Sequence, residues 1–493
     1  MNLIHDPWIP ALCPKGKREL YSLQDLFAQA HELLDISAKP HERIALMRLL
    51  LCITQAALDG PMDEAEWEGC STEIQPRARD YLGKWKEAFE LFGDGPRFLQ
   101  LDNLQSQKEP DEGVPASKLD LTLATGNNST LFDNVAGCGR ALLPASIAIN
   151  LVTFQCFSPG GRIGVARWNG KDTPGKGSSN HAPCTPSSMV HGFVCGEDLL
   201  TTIHRNLVTR ATAADVYGAK GWGRPVWEFP CHSESDRDSE FNATRTYLGR
   251  LVPLSRAIRL EEDGRTLLLA NGLDYPTYPA FREASATIVT RKAELALLPA
   301  STSRSLWRQL AAISVQRRAS QESACGPLAL EHAPQTRDTK LWVGALVTDK
   351  AKIEDVVEST YALPAGMFSE LGRAAYERGV GYAEERESAL IQGIKAYASA
   401  LKMAASACDR ARQQFWTRAE QNLSKLFDLS KSPDLVGDLP TSAWGAGLQK
   451  SVLAVYEQFC PRQSPRQIEA YALGLRKVAE RPRTHHQHPD LSL

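Results

Sequence analysis

This chain has almost no net charge, no closely paired cysteines and no long apolar run. Its 56 Lys and Arg nearly balance 58 Asp and Glu, for a formal charge of −2. A free-standing DNA-binding domain is usually far more basic. Any contact with nucleic acid therefore rests on local patches, or on partners that neutralise most of the phosphates. The 11 cysteines include no C-x-x-C, which argues against a zinc ribbon or a disulfide framework and for reduced thiols. No apolar run of about 18 residues and no leader pattern are found, so no membrane span is expected and the expected location is cytoplasmic.

Several catalytic signatures are missing as well. There is no G-x-x-x-x-G-K-[ST], no H-E-x-x-H, no G-x-S-x-G and no paired-carboxylate metal motif. The Gly160-Gly161-x-x-Gly164 spacing neither follows a strand nor opens a periodic helix, as a dinucleotide fingerprint requires. His5-Asp6 is the one His-Asp pair and reads as a strand end before Pro7. His181, Cys184, His191 and Cys195 lie within fifteen residues, but the six-residue gap between the two pairs is short for a zinc module. The expectation is no metal and no cofactor.

What is present centres on residues 125–179. Thr125 to Gly137 is rich in Asn, Thr and Gly, and Ser158 to Gly170 is rich in Gly and Arg. Asn and Gly tolerate left-handed backbone, so such loops bring main-chain N–H groups close to a ligand. Between them Ala141 to Phe157 is apolar and long enough for four helical turns. Two polar loops are thus offered from the ends of one buried helix. Arg162, Arg167, Lys171 and Lys176 face only Asp172 in the second region. An anionic ligand with a backbone, meaning nucleic acid, is the natural candidate.

The length of 493 residues favours two to four domains. Along the chain, an apolar strand leads into Pro7-Trp8, and Ser22 caps a helix from Leu23. Pro40 opens a helix with Ile44, Met47, Leu50, Leu51 and Thr54 on one face, ended by Gly60-Pro61. Tyr81 to Phe92 is amphipathic and leads into a turn and strand over Leu91 to Gln100. Leu199 to Arg210 is helical. Asp263-Gly264 between two strand-like runs predicts a tight type I′ hairpin. Ser303 caps a helix carrying Leu306, Leu310 and Ile313. A strand over Lys340 to Val347 ends at Thr348-Asp-Lys-Ala. From about Ser369 the pattern is helical. Apolar stripes at Leu390–Cys408, Phe415–Leu426, Leu448–Phe459 and Ile468–Val478 predict a four-helix bundle. The fold class is α+β: a mixed α/β N-terminal domain over 1–365, a four-helix bundle over 366–480, and a disordered tail over 481–493.

Met1 to Pro10, Leu91-Phe-Gly-Asp-Gly-Pro-Arg-Phe-Leu-Gln100, the loop Asn127 to Asn134, Pro159-Gly-Gly, the hairpin ending Ala270-Asn-Gly-Leu-Asp and the C-terminal bundle resemble, in this order, the large-subunit family of the type I-E CRISPR surveillance complex, Cascade. The resemblance implies a non-catalytic protein that recognises a protospacer-adjacent motif on double-stranded target DNA from the minor-groove side. It implies help in opening the duplex towards an R-loop, and docking of a separate helicase-nuclease. The implied partners are the guide crRNA and the backbone, small and 5′-end-capping subunits, which also accounts for the weak charge of this chain.

Residue by residue, the family's anchoring loop falls on Asn127, Asn128 and Phe132, with Asn134 beside the DNA. Its glycine loop falls on Gly160, Gly161 and Gly164, interrupted here by Arg162 and Ile163. Arg265 stands in place of a lysine finger, and Lys350 in place of a wedge that is Gln in other members. A narrow groove with a degenerate code suits thin glycine backbone and one or two cations. Two other classes stay open on the residues alone. One is a metal-dependent nuclease or phosphohydrolase using His181, Cys184, His191 and Cys195 or His5-Asp6. The other is a purely structural scaffold subunit.

Overall fold

The computed structural model describes residues 1–93, 95–101, 103–107, 113–123, 141–160, 163–173, 182–232, 236–319, 322–349, 352–433 and 438–479. The chain divides into two compact units. One is Met1–Ala333 with Thr339–Ala362, and the other is Pro334–Asp338 with Leu363–Leu493.

The first unit mixes helices with five small sheets among its described residues. Its centre is the helix Pro40–Leu58, whose residues from Pro40 through Gln55 are all buried. The apolar stripe predicted one buried face. The helix is instead enclosed on every side, with Arg43 and Arg48 buried alongside Ile44 and Leu50. Ser22 caps Leu23–Ala28 as its sequence position predicts, its hydroxyl accepting from Asp25 N at 3.1 Å. Other expectations are shifted. The first strand, Ile9–Leu12, follows Trp8 and does not precede it. The helix expected at Tyr81 to Phe92 runs over Ile74–Lys84 and continues as a short 3-10 turn at Lys86–Phe89. No strand forms among the described residues of 91–100. Leu199 to Arg210 breaks into Leu199–Arg205 and Arg210–Tyr217. The helix near Leu306 is capped at Ser305, one turn of 3-10 before Leu310–Ile313.

Three sheets join distant parts of the sequence. Thr266–Asn271 lies between Val114–Pro115 and Arg256–Leu260, antiparallel to both. Thr339–Asp349 lies between Lys352–Leu363 and His191–Val194. Leu104–Ser106, Ala166–Trp168 and Lys171–Asp172 form the third.

A buried ionic network ties the centre together. Arg48 Nη1 donates to Glu283 Oε2 at 2.7 Å, and Arg250 Nε donates to Glu283 Oε1 at 2.5 Å. The remaining donors reach main-chain carbonyls of Leu251, Arg250, Thr244 and Pro276. The Arg250 guanidinium also lies 4.2 Å from the Phe281 ring centroid. Burial of this kind is costly unless every charge is paired and hydrogen-bonded.

In the second unit the 31-residue helix Glu370–Ala400 packs against Cys408–Glu420, Leu423–Lys431, Ala443–Phe459 and Pro465–Ala479. Five helices are therefore described where four stripes were expected. The first begins twenty residues earlier than its apolar stripe, at the Ser369 cap, and the second is broken at Gln421-Asn422. Trp444 Nε1 donates to Gly379 O at 2.8 Å, pinning Ala443–Phe459 to the long helix.

Glu283→Gln removes the shared charge and is expected to cost about 3–5 kcal/mol at neutral pH, as for other broken buried pairs. Burial alone would raise the Glu283 carboxyl, but Arg250 and Arg48 outweigh it and hold it below the usual carboxylate range. A lowered folded value stabilises above the unfolded one, about 4.3. The contribution is lost as pH falls through the folded value. Urea midpoints of wild type and Glu283→Gln should therefore converge on acidification; a gap that stays constant down to pH 3 contradicts this account.

Candidate nucleic-acid interface

The helix Pro144–Phe157 carries the expected site between its ends. Pro144 occupies the first turn, and Ile147 through Phe157 is buried except Ile149. Its last turn is locked to the hairpin. Gln155 is fully buried; its Oε1 accepts from Arg256 N at 2.8 Å, and its Nε2 donates to Arg256 O at 2.9 Å. Ser255 Oγ donates to Gln155 O at 2.7 Å.

Arg256 is the residue that sequence reasoning missed. Its side chain is fully buried. Nε donates to Ser158 Oγ at 2.7 Å, Nη2 to Pro159 O at 2.8 Å, and Nη1 to Asn271 Oδ1 at 2.9 Å. One guanidinium thus holds both the start of the glycine loop and the far end of the hairpin. Burial pulls its pKa down to about 10, so it stays charged at neutral pH. An Arg in a strand-like run gave no signal, because Ser158 and Pro159 lie about a hundred residues before it and Asn271 lies on the other strand of the hairpin.

The hairpin itself differs from the expectation. Arg256–Leu260 and Thr266–Asn271 pair with Leu260 opposite Leu267. The turn between them is not a two-residue type I′ turn. Gly264 N donates to Glu261 O at 2.9 Å, and only Gly264 has a positive φ in it, +64°. That is a wider turn closed by a left-handed glycine. The tip packs inward, since a Cβ on Gly264 would lie 3.3 Å from Phe92 Cζ and 3.4 Å from Ile147 Cδ1. Arg265 is exposed, and its guanidinium has no partner among the described residues. Its main chain is fixed by Asp263 Oδ1 on its N–H and by Ala116 N–H on its carbonyl, at 2.9 and 2.8 Å. The same tip carries Glu261, Glu262 and Asp263, with Arg259 paired to Glu261 at 3.2 Å.

The tight turn lies elsewhere. Ala166–Trp168 and Lys171–Asp172 are joined by Asn169-Gly170, at φ +47° and +79°. Positive φ at both central residues is the type I′ pattern, and Asn-Gly is its strongest sequence signal. Arg167 lies 3.6 Å from Asp172, both exposed. Gly160 is half-buried, and a Cβ on Gly164 would sit 3.6 Å from Leu269 O. The described ends of the glycine loop therefore lie on the hairpin strand.

Asn127, Asn128, Phe132, Asn134, Gly161, Arg162, Lys176, Lys350 and His181 lie outside the described residues. Cys184, His191 and Cys195 are core residues. Cys184 N donates to Cys156 O at 3.1 Å, His191 Nδ1 meets Ser285 Oγ at 2.8 Å, and Cys195 N donates to Lys340 O at 2.8 Å. Burial pushes the Cys184 thiol well up, which opposes the thiolate that zinc needs. Among the described residues no three His, Cys, Asp or Glu side chains are grouped to hold a metal ion. His5 is exposed, and Asp6 is spent on Asn2 N at 2.8 Å.

The architecture is thus an α+β unit in which one buried guanidinium holds the start of a glycine loop and the end of an arginine-bearing hairpin, with a helical unit following in the chain. The family model described as CRISPR-associated protein Cse1 matches residues 2–455. CRISPR-associated protein CasA/Cse1 of Thermus thermophilus is 31% identical over 424 residues, covering 80% of this chain and 76% of its own. A crystal structure of Thermus thermophilus CasA shares the fold, with a TM-score of 0.74 at 23% identity over 97% of this chain and 98% of that one. A chain of a CRISPR RNA-guided surveillance complex does so at 0.70 and 17% identity, over 97% of this chain and 99% of that one. The chain belongs to the CRISPR-associated Cse1 (CasA) family.

Two substitutions test the frame. Arg256→Met leaves Ser158, Pro159 O and Asn271 without their donor and is expected to cost at least about 2 kcal/mol. It should also speed protease cleavage near Pro159, read by mass spectrometry. Gly264→Ala places a Cβ at positive φ against Phe92 and is expected to cost about 1–3 kcal/mol. An unchanged melting temperature would remove the turn from the packing argument.

Proposed function

We propose that this chain is the non-catalytic large subunit of a type I-E CRISPR surveillance complex in antiviral defence. In this reading it recognises a protospacer-adjacent motif on double-stranded target DNA, promotes opening of the duplex into an R-loop, and docks a helicase-nuclease. Family membership supports the subunit role. The observation that carries the recognition role is the exposed Arg265, unpartnered among the described residues, on a hairpin braced by Arg256, which also holds the start of the glycine loop. Its guanidinium reaches acceptors on a base edge or between phosphates.

The rest of the proposal follows the resemblance. Gly160, Gly161, Arg162, Gly164 and Asn134 approach the DNA with Arg265. Asn127, Asn128 and Phe132 anchor the subunit to the crRNA and its neighbours. Lys350 acts at the first base pairs and opens them. Residues 1–365 form the motif-reading domain. Residues 366–480 form the four-helix bundle of the family, its second helix broken in two. The partners are the crRNA, the backbone, small and 5′-end-capping subunits, and the target duplex. The site of action is the cytoplasm; no helix among the described residues is long and apolar enough to cross a membrane.

The acidic neighbours Glu261, Glu262 and Asp263 favour a second reading, a scaffold that holds partners without touching DNA, since like charge repels phosphate. Arg265→Ala in the assembled complex separates the two. Lost discrimination between duplexes with and without the motif, by about 1–3 kcal/mol, supports recognition. Unchanged discrimination supports the scaffold. Lys350→Ala is expected to slow R-loop formation on a paired target and to matter much less on one already unpaired beside the motif, where unstacking costs nothing. Equal small losses on both substrates count against an opening role. Phe132→Ala is expected to loosen the subunit from the complex while leaving the isolated chain's melting temperature unchanged; a large fall in that temperature assigns Phe132 to the core.

A further inference from the structure

A cavity of about 650 Å³ in the first unit is absorbed by none of these roles. It lies between the turn after Ile74–Lys84, the segment Pro96 to Asn103, the Trp168-Asn169 turn, and the segment Val226 to His232. Its volume falls in the ordinary range for a small-molecule site, about 300–1,000 Å³. Three indoles line it: Trp85, Trp168 and Trp227. Trp227 is held by a 2.7 Å hydrogen bond from Nε1 to Tyr81 Oη. Trp85 Nε1 is a buried donor that meets no acceptor among the described residues.

Among the described lining residues, Lys84, Lys86 and Arg97 outnumber the one acid, Glu87. Lys84 and Lys86 are exposed, and Lys84 Nζ lies 5.3 Å from the Trp85 ring centroid. Arg97 is fixed by main-chain carbonyls, Nε to Gly93 O at 2.6 Å and Nη1 to Leu260 O at 2.8 Å. The backbone is also unusual here. Leu99, Asn103 and Asn169 line the cavity with φ of 53°, 58° and 47°. Left-handed backbone outside glycine is uncommon, and clusters of it mark functional sites more often than plain core. A neighbouring cleft, lined by Arg259, Glu261, Glu262 and Asp263, shares Arg97 and Asn103. The cavity therefore borders, through Arg97 and Asn103, a cleft lined by residues of the hairpin.

We propose that this cavity binds one nucleotide unit, with its base against the indoles and its phosphate at Lys84 and Lys86. Aromatic walls with cations at the rim are the means by which proteins hold unpaired bases. The unit comes either from a nucleic-acid strand opened beside the hairpin or from a free nucleotide. The first source rests on the nucleic-acid reading above.

The full-length chain is titrated with a single-stranded deoxyoligonucleotide carrying one 5-iodouracil, and separately with nucleoside monophosphates. Tryptophan fluorescence reports binding, and photo-crosslinks are mapped by mass spectrometry. Saturable quenching with crosslinks at Trp85 or its neighbours is expected. Lys84→Glu/Lys86→Glu, two exposed positions, should weaken binding about tenfold without lowering the melting temperature. Trp85→Ala removes one ring of the aromatic wall and should weaken it severalfold. Monophosphates binding as tightly as the oligonucleotide assign the site to a free nucleotide; binding of the oligonucleotide alone assigns it to a strand. No quenching, crosslinks confined elsewhere, or folded variants that bind as wild type overturn the proposal. Assembled complexes that bear these variants and still discriminate the motif locate the failure in the cavity and not in the recognition role.

Discussion

The first unit is organised around one carboxylate that has no water to fall back on. Glu283 is 4% exposed and is shared by Arg48 and Arg250, themselves 1% and 2% exposed. These three residues join the central helix, the short helix Tyr247–Leu251 and the loop that follows the hairpin. An ion cluster in this setting does not tolerate approximate geometry, because any displaced donor leaves a charge unsolvated. It therefore sets where Arg250 lies, and with it the approach of the chain to the hairpin strand at Arg256.

Arg256 repeats the same device nearer the surface. A guanidinium carries five donors in a rigid fork, so it joins segments that a shorter side chain could not. Here it joins the exit of the helix Pro144–Phe157, the first residues of the glycine loop and the last residue of the hairpin. Gly264 adds a contact at the opposite end, against Phe92 and Ile147. The hairpin is held at both base and tip. Arg265 is left as an exposed side chain on a main chain fixed by hydrogen bonds at both its N–H and its carbonyl.

Local signals were the legible ones. A serine before an apolar stretch capped a helix at Ser22, and proline opened helices at Pro40 and Pro144. The pairing of Arg256–Leu260 with Thr266–Asn271 was readable from its turn dipeptide. The type of that turn was not, because Asp-Gly serves both a two-residue turn and a wider one. The Asn169-Gly170 turn carries the stronger signal, but a glycine-rich loop on either side of it masks the dipeptide. The central helix misled for another reason. Periodicity marks Arg43 and Arg48 as polar, and so as surface, while their partners come from Asp35 and from Glu283, the latter 235 residues away from Arg48. No window of sequence contains that fact. Of the His and Cys residues near one another in sequence, Cys184, His191 and Cys195 are core residues, with Cys184 beside His191.

The sheet that contains His191–Val194 has a consequence for how the chain is made. Its partner strand supplies Leu341 to Gly344, and between them lies about a third of the whole protein. The strand Val114–Pro115 likewise waits for Thr266-Leu267. On a ribosome the first unit therefore remains open, with unpaired strand edges exposed, until nearly three-quarters of the chain has emerged. The helical unit built around Glu370–Ala400 closes through contacts much nearer in sequence, so its helices form soon after they are synthesised. The slow assembly is that of the first unit.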